Sequence, residues 1–74
     1  MPEESNFYKL LQVDPEAETI IIRYAYGYLS AKYHPYNPET GSRELFTQLT
    51  EAWKVLSDDE RRAAYDDSLR NDEK

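Results

Sequence analysis

The chain has 74 residues, a formal net charge of -6, no cysteine and one histidine. That length allows one domain, and without cysteine a lone histidine cannot build a disulfide or zinc staple. The acidic balance argues against nucleic acid and anionic membrane surfaces, which need clustered Lys and Arg, and no apolar run approaches the ~20 residues of a membrane span.

The opening Met1-Pro2-Glu3-Glu4-Ser5 is acidic and lacks the apolar stretch of a signal peptide. A soluble, reducing compartment is expected, either the cytoplasm or an organelle interior. Residues 1–5 and 70–74 are polar and expected to fray, which leaves 6–69 as the domain. Four helices and no strand are predicted inside it. A short first helix spans Asn6 to Leu11, with Asn6 as its cap and Phe7, Leu10 and Leu11 as its apolar side. Asp14-Pro15-Glu16 is a turn leading into the second helix, from about Ala17 to Tyr33. Ile22, Ala25, Tyr26, Leu29 and Tyr33 recur there at three- and four-residue steps, the mark of one buried face. Pro35 stops this helix, because it supplies no N–H and restricts the residue before it.

The loop Tyr36-Asn37-Pro38-Glu39-Thr40-Gly41 separates the second helix from the third. Ser42 is the expected cap of the third, about Arg43 to Leu56, with Phe46, Leu49, Trp53 and Leu56 on one face. Two long helices joined by so short a loop should pack as an antiparallel hairpin. Ser57-Asp58-Asp59-Glu60 has the S-x-x-E form of a capping box and opens a fourth helix, about Asp59 to Leu69. Arg61 and Arg62 on it are expected to pair with Asp58 or Asp66 at helical spacing. A domain this small buries only ~60% of its unfolded surface. Seven Tyr, two Phe and one Trp are the means to fill its core.

Four segments, in order and at matching spacing, resemble the J domain of DnaJ-type co-chaperones. Asn6-Phe7-Tyr8-x-x-Leu11 is similar to its D-Y-Y-x-x-L opening. Ile22-x-x-Ala25-Tyr26-x-x-Leu29-x-x-Lys32-Tyr33-His34-Pro35 is similar to its second helix and the loop after it. Phe46-x-x-Leu49-x-x-Ala52-Trp53-x-Val55-Leu56-Ser57-Asp58 resembles its third helix, and Arg62-Ala63-Ala64-Tyr65-Asp66 its closing R-x-x-Y-D. The resemblance covers 6–67 and implies an all-α fold: an antiparallel hairpin of helices II and III flanked by short helices I and IV. It also implies binding to the ATPase of a DnaK-type chaperone through an H-P-D tripeptide and a basic face on the second helix.

Both features are altered in this chain. The tripeptide reads His34-Pro35-Tyr36, and a phenol cannot make the charge-assisted bonds of the aspartate it replaces, including those to arginine on the ATPase. The positions that usually carry Lys or Arg hold Arg23, Tyr24, Gly27, Tyr28 and Lys32, so two of five remain basic. Electrostatic attraction to an acidic lobe should fall accordingly. Thr47 and Thr50 stand where the family often has lysine and asparagine. Tyr8, Tyr26, Tyr33 and Tyr65 occupy core or near-core positions, whereas Tyr24, Tyr28 and Tyr36 fall on the docking face. Ile20, Tyr24 and Tyr28 follow i, i+4, i+8 spacing, with Gly27 and Ala31 alongside and Ile21 near the helix start. Gly27 costs roughly 1 kcal/mol in a helix interior, which a close approach by a partner would offset.

The expected function is therefore a J-like protein-interaction module. It docks or tethers a protein complex and does not stimulate a DnaK-type ATPase. Ile20, Arg23, Tyr24, Gly27, Tyr28, Lys32, His34, Pro35 and Tyr36 are its candidate contacts. The alternative is a divergent co-chaperone that recruits a specialised DnaK-type chaperone through Arg23, Lys32, His34 and Pro35. The sequence supports no enzyme, cofactor or metal site: it has no nucleophile–base pair, glycine-rich phosphate loop or ligand cluster.

Overall fold

The computed structural model describes residues 6–72. Helix α1 spans Phe7–Leu10, α2 Thr19–Lys32, α3 Arg43–Leu56 and α4 Asp59–Asp72, and no strand occurs among the described residues. The antiparallel hairpin of α2 and α3 is the body of the fold, and α1 and α4 both pack on α3. Tyr8, Leu11, Ile22, Leu29, Leu49, Ala52 and Leu56 form the buried core, ringed by half-buried side chains that include Phe7, Tyr26, Tyr33, Trp53 and Tyr65.

Asn6 caps α1 as expected, its side-chain oxygen accepting the Lys9 N–H at 2.9 Å. The helix is stopped by Gln12, which takes a left-handed backbone (φ 61°) and turns the chain toward α2. The Asp14 carboxylate accepts the Glu16 N–H at 2.7 Å and builds the turn around Pro15. The second helix starts at Thr19 rather than Ala17, because Ala17 N–H is spent on the Asp14 carbonyl (2.9 Å) and the helical ladder begins from the Glu18 carbonyl. The third helix has the expected bounds, and the Ser42 hydroxyl caps it by accepting the Leu45 N–H (3.2 Å).

Two expectations for the fourth helix are corrected. The capping box on Ser57 does not form. Ser57 has helical backbone angles and closes α3, its N–H bonding the Trp53 carbonyl. The Asp58 carboxylate caps α4 instead, accepting from Glu60 N–H (2.9 Å) and Arg61 N–H (3.2 Å). Helix α4 also continues to Asp72, past the expected end at Leu69. Of the frayed ends expected at 1–5 and 70–74, residues 70–72 belong to α4, and 1–5 and 73–74 lie outside the described residues.

Arg62 does not pair along its own helix. Its guanidinium reaches back to the start of the chain, donating to the Tyr8 hydroxyl (3.0 Å) and to the carbonyls of Pro15 (3.0 Å) and Ala17 (2.7 Å). The Tyr8 hydroxyl donates in turn to the Asp66 carboxylate at 2.6 Å. Beside this cluster the Phe7 and Tyr65 rings stack with centroids 4.6 Å apart, and the Phe7 N–H donates to the Tyr65 hydroxyl (2.8 Å). That last bond satisfies one of the free N–H groups at the start of α1.

Burial, followed by the hydrogen bond to Asp66, pushes the Tyr8 phenol above its ordinary value of 10, against the opposing pull of Arg62. Burial also raises Tyr65. A phenol with a raised folded-state pKa contributes its full stabilisation below the unfolded value. The contribution is lost as pH climbs through the folded value, where the unfolded chain releases the proton first. Urea midpoints should thus hold steady up to about pH 9 and fall above about pH 10. Replacing Arg62→Met should lower stability by roughly 2 kcal/mol at neutral pH, since it leaves two loop carbonyls and one face of the Tyr8 hydroxyl unpaired. An unchanged urea midpoint in that variant would contradict the clasp.

Candidate functional site

A helix turns ~100° per residue, so the line through Ile22 and Leu29 that faces the core has a counterpart on the opposite side of α2. That outer side carries Ile20, Tyr24, Gly27 and Ala31, all exposed, flanked by Ile21 and Tyr28 on one edge and Arg23 on the other. Among the described elements α2 packs only against α3, so this outer side is uncovered. Tyr24 is 70% exposed and Tyr28 66%, beside Ile20 at 41% and Ile21 at 50%. Large rings left in water over two helical turns are unusual for an isolated domain.

Gly27 lies between the two tyrosines. A Cβ built there meets nothing within 4 Å, so no packing inside the chain calls for glycine at this position. The α2 backbone is simply bare there.

The His34-Pro35-Tyr36 loop continues from the C-terminal end of the helix. His34 is half-buried, with its ring edge-on to Phe46 of α3 (centroids 5.0 Å) and near Tyr36 (5.1 Å). The Tyr36 main-chain N–H donates to Nδ1 of His34 at 3.1 Å, which places the imidazole proton on Nε2. The Tyr36 side chain is 88% exposed. The neck of the loop is closed by the Ser42 N–H on the Tyr33 carbonyl (2.9 Å), and the Asn37 side chain accepts from the N–H groups of Glu39 (3.1 Å) and Thr40 (3.3 Å). Gly41 is packed into this loop so closely that a Cβ would fall 2.4 Å from the His34 carbonyl oxygen and 2.6 Å from that of Asn37.

The structure thus brings Ile20, Arg23, Tyr24, Gly27 and Tyr28 together on one face, with Tyr36 on the adjoining loop. Lys32 is half-buried with its ammonium 5.4 Å over the Tyr33 ring, and His34 and Pro35 are half built into the hairpin end. The seven tyrosines divide as expected, four against the core and three outward. Thr50 is turned inward, its hydroxyl bonded to the Phe46 carbonyl (3.0 Å) and lying 3.5 Å from the Tyr26 hydroxyl, while Thr47 is exposed. Sequence reasoning missed Phe46 as the ring that seats His34 and Gly41 as the residue that permits the loop's shape. The glycine had a signal in its place three residues after a proline; the Phe46 contact had none.

The electrostatics are one-sided. The chain holds fifteen carboxylates, yet the stretch from Thr19 to Pro38 has none and carries Arg23 and Lys32. No group of three or more potential metal ligands occurs among the described residues, and no described helix is long and apolar enough to cross a membrane. An open groove of about 290 Å³ between α1 and α3, lined by Asn6, Phe7, Leu10, Gln48 and Glu51, contains none of the candidate residues.

The DnaJ domain family model matches residues 6–66. Proteins named "Chaperone protein DnaJ" from Staphylococcus aureus (strains JH1, MW2 and USA300) are each 45% identical over 62 residues. The match covers 82% of this chain but only 16% of each relative.

Three substitutions test the assignment of faces. Gly27→Ala should raise stability by roughly 1 kcal/mol, because the added methyl meets nothing and the helix gains propensity. The double change Tyr24→Ser, Tyr28→Ser should move it by less than about 1 kcal/mol. Gly41→Ala should cost roughly 2 kcal/mol, since two carbonyls must move aside. Thermal melts of the three variants check all of this; a large loss from the tyrosine changes would place those rings in the core.

Proposed function

We propose, from the premise that this chain belongs to the DnaJ domain family, that it is an interaction module of that co-chaperone family which docks a protein through the tyrosine face of α2 without stimulating a DnaK-type ATPase. One observation carries the reading. At the third tripeptide position a carboxylate is replaced by a phenol that stands 88% exposed, on a helix-and-loop stretch with no carboxylate at all. Neutral rings give area and desolvated anchoring, and they give little long-range steering. Contact through Ile20, Tyr24, Gly27, Tyr28 and Tyr36 should be short-ranged, and weakened only slightly by salt.

The intact core makes this substitution of function workable. The side chains that build the hairpin point inward from α2 and those that would touch a partner point outward, so one set can change without the other. Fold and docking chemistry are separable on this helix.

A second reading, a divergent co-chaperone for a specialised DnaK-type chaperone, is favoured by the retention of Arg23, Lys32, His34 and Pro35. His34 keeps its Nδ1 bond to the following loop N–H at 3.1 Å. Charge-assisted contact through the two cations would then carry binding.

ATP turnover by a DnaK-type chaperone separates the readings. The unaltered chain should leave the rate unchanged at saturating concentration. The triple change Tyr36→Asp, Tyr24→Lys, Tyr28→Lys should produce stimulation, because it restores the carboxylate and two cations on an unchanged scaffold. Stimulation by the unaltered chain would select the second reading.

A further inference from the structure

The outward line of α2 has a pattern beyond being apolar. Ile20, Tyr24, Gly27 and Ala31 are separated by steps of four, three and four residues, the 3.5-residue spacing with which one helix lies along another. All four are exposed and lie on the side of α2 away from Ile22 and Leu29. The order of sizes along this seam is large, large, none, small.

We propose that the occupant of this face is a second copy of the same chain, with the two α2 helices antiparallel about a two-fold axis near the middle of Thr19–Lys32. This rests on the reading of the tyrosine face as a docking surface and names what docks there. In that register, residues whose numbers sum to 51 stand opposite each other. Tyr24 of each chain lies on Gly27 of the other, and Ile20 on Ala31. Every layer sets a large side chain against a small one, the condition for close-packed interdigitation. A parallel pairing would set Tyr24 on Tyr24 and Gly27 on Gly27, leaving one layer overfilled and the next empty.

The flanks agree with the antiparallel sense. Ile21 of one chain and Tyr28 of the other fall on the same edge, both apolar and exposed. At the ends, Glu18 precedes α2 and Lys32 closes it, and at ~100° per residue both fall outside the seam, which therefore carries no charge of its own. The remaining acids lie outside Thr19–Pro38, so the repulsion between two chains of charge -6 acts mostly across water, where it is screened within ~8 Å at physiological salt. Gly27 gains a reason: the bare backbone, with nothing within 4 Å of its missing Cβ, is the seat for the second chain's ring.

The exposed seam and its apolar flank amount to on the order of 500 Å² per chain. Two such faces just clear the ~1,000 Å² total of a specific interface, which points to association in the micromolar range. Isologous pairing of this kind is the commonest route to a soluble homodimer.

Sedimentation equilibrium of the chain from about 5 µM to about 500 µM should follow a monomer–dimer equilibrium. Gly27→Glu should weaken it at least about tenfold while circular dichroism stays helical, because a Cβ there meets nothing within 4 Å in its own chain and the exposed side chain blocks the opposite ring. Register is tested by disulfide trapping, since the chain has no cysteine of its own. An equimolar mixture of Tyr24→Cys and Gly27→Cys chains, oxidised with diamide, should yield the mixed dimer in clear excess over the two like-with-like dimers. A single monomer mass across the range, or a statistical mixture of disulfides, would overturn self-pairing. A chain that is monomeric and also fails to stimulate ATP turnover loses the second copy and keeps the docking face. A chain that stimulates turnover loses the docking face itself.

Discussion

The Arg62 guanidinium ties α4 both to α1 and to the turn ahead of α2. It sits on α4, yet its three hydrogen bonds end on the Tyr8 hydroxyl of α1 and on the Pro15 and Ala17 carbonyls just ahead of α2. A planar fork with several fixed donors suits this task, because one side chain can satisfy carbonyls that point in different directions. The buried core belongs mostly to α1, α2 and α3. The last helix is added by the stacked Phe7 and Tyr65 rings and by the polar cluster of Tyr8, Arg62 and Asp66. In so small a domain, a few such contacts are a large fraction of net stability.

This arrangement concentrates all the constraints on one side of α2. The helix faces α3 with Ile22, Leu29 and the half-buried Tyr26, whose ring stacks on Trp53 at 5.5 Å. No other described helix packs on its far side. Substitutions there cost little in folding, and the basic docking character expected of the family could drift toward tyrosine, isoleucine and glycine while the hairpin persisted.

Much of this was legible from residue order because packing by a periodic face is a local signal. The bounds of α3 follow from Ser42 before it, Leu49, Ala52 and Leu56 within it, and the turn after it. On α2 the 3.6-residue period separates Tyr26 from Tyr24 and Tyr28, whereas the placing of Tyr8, Tyr36 and Tyr65 rested on the resemblance to the J domain. Errors arose where two local signals competed. Ala17 favours helix, but its N–H was already committed to the Asp14 turn; Ser57 fits the capping-box pattern, but its backbone belonged to the end of α3. Arg62 was misread for a different reason. Its partners are main-chain carbonyls 45 and 47 residues away, and a carbonyl carries no sequence signature. The bareness around Gly27 and the crowding around Gly41 are likewise matters of space, and two glycines look alike until their neighbours are placed.

The bond from Tyr36 to Nδ1 of His34 comes from the main chain, and every amino acid except proline can donate it. The shape of the loop is thus indifferent to what position 36 carries. Aspartate and tyrosine codons differ by one base, so a single mutation can exchange a carboxylate for a ring at the tip of the hairpin without any intermediate that misfolds. The loop behaves as a socket whose main-chain frame accepts either fitting.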